Sequence, residues 1–332
     1  MILVKWRISP LWWPILAITG PLWLPFLLIR YQGFKKDRTR AQAGNRLRIG
    51  TARTFDISTV AEIEIRVLSE WRARDGFESE PGVSYHFRTD LGSLLYDVAF
   101  GDEGGVVAHN AGRLGITAED IDAVVISHLH DDHMGGPRAF RSMELGYPAS
   151  LRRSEPIPCF LPAEARADGF RIEVVRQPQL LMEGIASTGP LARRLFFLGW
   201  VEEQALVIRL QGKGVVVFSG CGHPTLPTIL EMVTKMTPDP IYAIGGGLHL
   251  PLTQGRVGSL GIDLQTILGT GKPPWKRTTQ EDIDVVARTI RDANPQRVFL
   301  SAHDSCDEAL SRLASAVDCD VDVLEAGGVN RL

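Results

Sequence analysis

Short apolar runs rich in β-branched residues recur along most of the chain, separated by polar stretches with helical spacing. Seven of these runs predict strands, at residues 61–68, 93–98, 123–127, 205–210, 215–219, 241–244 and 297–301. A hydroxyl residue followed three positions later by an acid predicts helix starts at Thr117 and Thr279. Each of these helices leads into a strand that ends at a histidine. The alternation predicts an α/β domain over residues 58–332.

The N-terminal pattern is different, because residues 9–29 carry no charge. A run of about 20 apolar residues is long enough to cross a bilayer as a helix. Three tryptophans suited to a membrane interface lie in this run, and three prolines interrupt it: Trp12, Trp13, Trp23, Pro14, Pro21 and Pro25. Prolines are tolerated in membrane helices. Residues 1–30 are therefore predicted to form a membrane anchor with a transmembrane helix.

Basic residues flank the anchor unequally. Only Lys5 and Arg7 precede the apolar run. The basic residues that follow it closely are Arg30, Lys35, Lys36, Arg38 and Arg40. The positive-inside rule then predicts a membrane-anchored protein whose catalytic domain faces the cytoplasm.

Two other interpretations of the N-terminal segment stay open. A signal peptide could be cleaved at the small residues 41–43, although these lie beyond the basic cluster. A hairpin bent at Gly20 and Pro21 could lie in one leaflet. Residues 31–57 are basic and polar and predict a juxtamembrane linker. The glycine- and proline-rich stretch 251–277 predicts a lid or a membrane-contacting loop.

Charge and cysteine content narrow the classes of protein. The chain has 36 basic and 39 acidic residues, which is too even for a general nucleic-acid binder. Its four cysteines are widely spaced, unlike those of a small disulfide-stapled domain, and favour a reducing compartment. The expected partners are a small-molecule substrate and the membrane, without nucleic acid. The oligomeric state is not indicated.

Residues 127–136 concentrate three imidazoles and two carboxylates directly after the predicted strand 123–127. Alternate residues of an extended segment point the same way, so His128 and His130 can converge on one metal ion. The chain can then turn to present Asp132 and His133 to a second ion. Three further histidines, His223, His249 and His303, each follow a predicted strand. Strand ends at one sheet edge are where α/β enzymes gather their sites.

The motif H-x-H-x-D-H followed by two glycines resembles the signature of the metallo-β-lactamase superfamily. That resemblance implies an αββα sandwich with metals at the sheet edges. Further segments resemble the branch named for the dihydropterin-ribofuranosylaminobenzene phosphate synthase of methanopterin biosynthesis, over roughly residues 60–327. These segments lie at 94–101, 109–116, 187–191, 203–207, 220–223 and 245–250.

The resemblance implies a set of ligands. His128, His130 and His223 would hold the first metal, and Asp132, His133 and His303 the second. His249 stands where many relatives place an acidic bridging ligand and would take over coordination there. Cys221 would either bind a metal as a thiolate or hold the ligands in place without binding metal itself.

The resemblance also suggests roles for residues outside the ligand set. Asp97 would brace the metal loops or be a simple turn residue, and His86 and His109 are expected to be structural. Relatives often have Glu-His-Gly where this chain has Glu80-Pro81-Gly82, and His-Cys-Thr-Gly where it has residues 303–306. Substrate contacts are therefore expected to differ.

The implied chemistry is hydrolysis by metal-bound hydroxide, with Asp132 orienting the nucleophile. Two divalent ions are expected, zinc first, with iron or manganese as alternatives. The predicted substrate bond is a phosphoester, a thioester or a related small-molecule bond. One alternative is a transferase that joins a pterin methyl diphosphate to an aromatic amine. The other is a non-catalytic, membrane-tethered metal-binding module.

Overall fold

Two mixed sheets of seven strands face each other in the computed structural model, which describes residues 6–332. The first sheet, in chain order, contains β1 (Ile63–Ser69), β2 (Ser84–Thr89), β3 (Gly92–Tyr96), β4 (Ala123–Val125), β5 (Pro158–Leu161), β6 (Arg171–Val174) and the last strand, β18 (Val329–Arg331). The second contains β7 (Gln179–Met182), β8 (Ile185–Ser187), β11 (Leu206–Leu210), β12 (Gly214–Ser219), β13 (Ile241–Gly246), β16 (Arg297–Leu300) and β17 (Asp320–Val323). The two remaining strand pairs are β9 (Leu191–Leu195) with β10 (Gly199–Glu203), and β14 (Gly258–Ser259) with β15 (Ile262–Asp263).

Helices cover the outer faces of both sheets. They are α1 (Trp13–Thr51), α2 (Gly101–Gly104), α3 (Val106–Arg113), α4 (Asp131–Met134), α5 (Pro137–Ser142), α6 (Leu226–Met236), α7 (Leu264–Leu268), α8 (Gln280–Ala293) and α9 (Asp307–Ser315). Short 3-10 turns lie at Pro10–Trp12, Ala118–Asp120 and Ala149–Leu151. The layers therefore follow the order α, β, β, α, and the predicted α/β fold class is confirmed.

Both faces of the central strands are buried, which explains their nearly continuous apolar runs. In β12, Val216 and Phe218 point into the core between the sheets, whereas Val215 and Val217 point toward the helices. Successive strand residues face opposite sides, so one run supplies two cores. Each of the seven strands predicted from the sequence has a counterpart in the structure.

The two predicted capping boxes are also present. The carboxylate of Asp120 accepts a hydrogen bond from the backbone of Thr117, and that of Asp282 from the backbone of Thr279. The second box begins the long helix α8, whereas the first begins only a single 3-10 turn. Both lead into strands, β4 and β16, whose ends approach the histidines.

Helix α1 is long and apolar enough to cross a membrane. Its first half exposes large apolar side chains, with Ile18 80% and Leu22 81% exposed. Residues 1–5 of the predicted anchor lie outside the described residues. Pro21 and Pro25 lie within the helix without ending it.

The prediction of a linker over residues 31–57 is wrong for most of this range, because α1 continues through it to Thr51. Phe34, Ala41, Asn45 and Ile49 are buried on one face, which packs on the domain. Their spacings of seven, four and four residues place them in one row on a helix. Asn45 fastens that row by donating its side-chain amide to the carbonyl of Ala192 (2.9 Å) and accepting from the Ala192 N–H (2.7 Å).

We expect Phe34→Ala to lower the free energy of unfolding by about 3–5 kcal/mol, the usual cost of removing a buried phenyl ring. Phe34 is 1% exposed and packs against Phe196, with 5.4 Å between ring centroids. Leu47→Ala is the control, since Leu47 is 68% exposed and its loss should change stability by less than about 0.5 kcal/mol. Chemical denaturation of both variants in detergent measures the difference. Equal stability would show that this half of α1 does not pack on the domain.

The irregular stretch 251–277 contains β14, β15 and α7 and connects the segment before α1 to the rest of the domain. Asp263 donates its N–H to the carbonyl of Arg7 (2.8 Å), and Ser9 donates to Gly261 (2.8 Å). On its other side, the side-chain amide of Gln265 donates to the carbonyl of His303 (3.0 Å). This stretch therefore touches both the N-terminal segment and a predicted metal ligand. Its role as a lid or a membrane-contacting loop stays a prediction.

Candidate metal centre

The histidine motif lies where β4 ends and α4 begins. His128 and His130 occupy the extended segment, and Asp132 and His133 lie in the short helix α4. Gly135 ends α4 with a φ of +108°, and a Cβ there would lie 2.3 Å from the Cα of Gly146. Only glycine fits both the backbone angle and this close approach. The sharp turn keeps the four side chains on the same side of the loop.

The other three histidines follow strands of the second sheet. His223 comes after β12, His249 after β13 and His303 after β16, and these three strands run parallel to one another. Their carboxyl ends therefore meet at one edge of the sheet. The structure brings all three histidines to the motif in the first sheet.

His128, His130 and His223 form the first group of potential ligands, whose candidate atoms all lie within 4.8 Å of one another. The Nδ1 atom of His130 is 3.0 Å from Nε2 of His128 and 3.2 Å from Nε2 of His223. Three nitrogen atoms that face one point fit a single metal ion.

Asp132, His133, Cys221 and His303 form the second group, within the same limit. The Sγ atom of Cys221 is 3.1 Å from Nε2 of both His133 and His303. The Asp132 carboxylate is 3.7 Å from Nε2 of His133 and is one quarter exposed. Nitrogen, oxygen and sulfur donors thus surround a second position.

His249 lies in a third group, with Cys221 and His223. Both ring nitrogens of His249 are buried and have no hydrogen-bond partner among residues 6–332. The residue beside both His133 and His303 is Cys221 rather than His249, so the structure places a thiol where the sequence suggests an imidazole. The ligand role of His249 stays a prediction.

Buried hydrogen bonds fix the orientation of the imidazoles. His133 donates from Nδ1 to Asp97 (2.7 Å), which also accepts from the backbone and the hydroxyl of Ser127 (both 2.6 Å). Ser301 contacts Nδ1 of His303 (2.6 Å) and donates to the buried carboxylate of Glu70. These contacts leave Nε2 of both histidines directed at the site. Asp97 is therefore a brace, not a simple turn residue.

Glu203 is a functional residue that the sequence analysis did not single out. Its carboxylate accepts hydrogen bonds from the N–H groups of Gly220, Cys221, Gly222 and His223, over 2.8–3.1 Å. These four bonds hold the loop that carries Cys221 and His223. The available signal was an acid within residues 203–207, two positions before the predicted strand 205–210.

His86 and His109 lie away from the three groups. His86 is buried in the first sheet, with its Nε2 2.7 Å from the carbonyl of Asp120. His109 is 45% exposed and lies 4.0 Å from Glu78. Their structural assignment agrees with these positions.

Burial controls the charge of most of the imidazoles. It lowers the pKa of His130 to about 3 and of His249 to about 4, and it lowers the pKa values of His128, His223 and His303 well below the usual value. These five side chains are therefore neutral at pH 7. Neutral imidazoles offer the lone pairs that a metal ion needs.

Three other groups of the site have raised pKa values: His133, Asp132 and Cys221. Burial alone would lower the pKa of His133, but Asp132 and Asp97 outweigh it and raise this pKa to about 9. Burial raises the pKa of Asp132 to about 6 and that of the Cys221 thiol well above its usual value. The donor set as a whole, imidazoles with one carboxylate and one thiol, fits divalent zinc.

Comparison with known proteins agrees with this geometry. Residues 79–142 match the family model described as Metallo-beta-lactamase superfamily. The structure is similar to a crystal structure of a metal-dependent hydrolase of the beta-lactamase superfamily, with a TM-score of 0.58 and 21% identity over 81% of this chain and 98% of the other. The chain therefore has the same fold as this hydrolase, and its histidine motif lies within the residues that match the family model.

The chain is also similar to a curated enzyme from Methanocaldococcus jannaschii. This relative is the 7,8-dihydropterin-6-methyl-4-(beta-D-ribofuranosyl)-aminobenzene-5'-phosphate synthase, and the identity is 24% over 59% of this chain and 80% of the relative. The similarity agrees with the branch that the sequence motifs resemble.

Proposed function

We propose that this chain is a metal-dependent hydrolase that acts on a phosphoester, thioester or related bond in a small molecule. One observation carries the proposal. Six side chains from three loops, His128, His130, His223, Asp132, His133 and His303, converge at one end of the sandwich in two adjacent groups. Such a set of donors is costly to bury unless it binds cations.

Two divalent ions held there would lower the pKa of a bound water to near 7 and offset the charge of a leaving group. The chain's own part is to orient the donors. Asp97 and Ser301 fix the rings of His133 and His303, and Glu203 fixes the loop that presents His223. The partly exposed carboxylate of Asp132 can accept a hydrogen bond from an attacking water. Zinc is the metal we propose, with iron or manganese as alternatives.

Hydrolysis in ¹⁸O-labelled water is the direct test. Purified full-length protein, with its metal content measured, is assayed on phosphomonoesters, phosphodiesters and thioesters. We expect ¹⁸O in the acid or phosphate product, loss of turnover after chelation and recovery with Zn²⁺. Metal-loaded protein without turnover on any of these bonds would contradict the proposal. If His130→Ala also left the cellular role intact, a non-catalytic metal-binding module would be the better interpretation.

The transferase is the second candidate, and the similarity to the curated synthase favours it. In that reaction the carbon of a pterin methyl diphosphate is transferred to an aromatic amine, and diphosphate leaves. Product analysis with the amine present separates the two candidates. A carbon–nitrogen product supports the transferase, whereas a hydroxymethyl pterin and diphosphate support hydrolysis.

The exposed apolar half of α1 supports attachment to a membrane, and we propose that the domain faces the cytoplasm. The side chains that carry this part are apolar and more than half exposed: Leu11, Ile15, Ile18, Leu22, Phe26, Leu28 and Ile29. The basic residues after them favour the cytoplasmic side. Cell fractionation followed by protease treatment of intact and opened cells tests both the attachment and the side.

A further inference from the structure

A cavity of about 180 Å³ opens beside the metal centre. His223 and His249 line one side of it, and Arg193, Gly271 and Lys272 line the other. Any molecule that reaches the two histidines therefore has room to extend toward two basic side chains.

Arg193 is the unusual group in this cavity. Within residues 6–332 its guanidinium has no hydrogen-bond partner and no carboxylate within 4.0 Å, although it lies against the backbone of Gly271. A Cβ at Gly271 would be 2.6 Å from Nε of Arg193. Lys272, by contrast, already pairs with Asp282. Burial, followed by the charge of Arg38, lowers the pKa of Arg193 to about 10, and the carboxylate of Asp282, which also lines the cavity, offsets this only in part. The group is still a cation at pH 7.

A confined cation without a partner is costly, and an anion is the partner that removes the cost. The planar guanidinium of arginine matches the oxygens of phosphate in pairs. The N-terminus of α6 borders the same cavity through Thr225 and Leu226, and helix N-termini favour negative charge. Two features of the wall, Arg193 and the N-terminus of α6, thus favour the same kind of ligand.

We propose that this cavity holds a phosphate or diphosphate group of the substrate, bound by Arg193 beside the metal centre. This inference rests on the proposed function, because it assigns the bond at the centre to a small phosphorylated molecule. Arg193 is then a residue that determines specificity. The cavity position next to His223 and His249 places the bound group within reach of the reacting bond.

Strand β9 positions Arg193 and also supplies a matched control. Successive residues of a strand face opposite sides, so Arg194 turns away from the cavity and lies 3.5 Å from Asp37 of α1. Asn45 of α1 holds the preceding residue, Ala192, through two hydrogen bonds. The two arginines are adjacent in the chain but differ in what they face.

Calorimetric titration of the zinc-loaded full-length protein with inorganic diphosphate tests the inference. We expect Arg193→Gln to weaken binding about 30-fold, as for loss of a confined charge-assisted contact of about 2 kcal/mol. Arg194→Gln should stay within about 3-fold of the unmodified protein, and Arg193→Lys should fall between the two. His128→Ala is included because diphosphate could also bind the metal ions. Binding that persists in His128→Ala supports the cavity.

Two results would overturn the inference. One is equal diphosphate affinity in Arg193→Gln and the unmodified protein, with both folded by circular dichroism. The other is a loss of binding in Arg194→Gln as large as in Arg193→Gln, since the effect would then follow net charge and not the side chain that faces the cavity. These results are distinct from failure of the proposed function. In that case diphosphate would still bind through Arg193, but the protein would hydrolyse no ester.

Discussion

His128→Ala will remove bound metal and turnover together. His128 is fully buried, and its Nε2 lies 3.0 Å from Nδ1 of His130, so its removal takes one of the three nitrogen donors from the first group. We expect metal content to fall by at least one ion per chain and the rate of hydrolysis to fall by at least about 1000-fold, because an unactivated water is a poor nucleophile at pH 7. Elemental analysis and an ester assay on the same sample measure both quantities.

The control for this variant is His109→Ala. His109 is 45% exposed and lies outside the three ligand groups, so its removal should leave metal content and rate unchanged. A His128→Ala protein that keeps its metal and its activity would show that the first group is not a metal site. A variant that loses activity but keeps all its metal would assign His128 a role in binding substrate.

Cys221→Ser will have the second largest effect. The thiol of Cys221 belongs to two of the three ligand groups and lies 3.1 Å from both His133 and His303. Removing a residue that only supports a ligand typically weakens metal binding about 10–100-fold, so loss of a direct thiolate ligand should cost at least about 100-fold for the second ion. Titration with Zn²⁺ against a competing chelator measures this change.

Spectroscopy separates a ligand role of Cys221 from a merely structural role. Cobalt-loaded protein should show a thiolate-to-metal charge-transfer band in the near ultraviolet, and the Cys221→Ser variant should lack it. Cys319→Ser is the matched control, since Cys319 is partly exposed and remote from the ligand groups. A band of equal strength in Cys221→Ser would exclude sulfur ligation at this position. Ligation requires the thiolate, so the raised pKa of Cys221 also predicts proton release when metal binds.

The central strands and the histidine motif could be predicted because each is encoded locally. In β12, four apolar residues in a row, Val215–Phe218, are buried on both faces, and that pattern needs no knowledge of distant parts of the chain. The motif holds four potential ligands within six positions. Strand ends then indicated which of the distant histidines would join it.

The relative places of Cys221 and His249 could not be predicted in the same way. Both follow neighbouring parallel strands, and which side chain turns toward the second group depends on the backbone of each loop. His249 has a φ of +54°, and the loop of Cys221 is held by Glu203, 18 residues earlier in the chain. Neither constraint has a local sequence pattern.

The packing of α1 was missed for a related reason. Its buried face consists of four side chains scattered through a basic stretch, and one of them, Asn45, is polar. Their burial depends on β9, which lies about 150 residues later. Composition therefore suggested a linker where tertiary contacts stabilise a helix.

The continuity of α1 would determine how the domain is held at a lipid bilayer. A helix of 39 residues is about 58 Å long at 1.5 Å per residue, and its second half is fastened to the domain. With the first half inserted, the helix would connect the domain to the membrane rigidly and not through a flexible linker. The candidate metal centre would then keep a constant height and tilt above the lipid, so that it reaches only molecules within a thin layer of solution next to the bilayer.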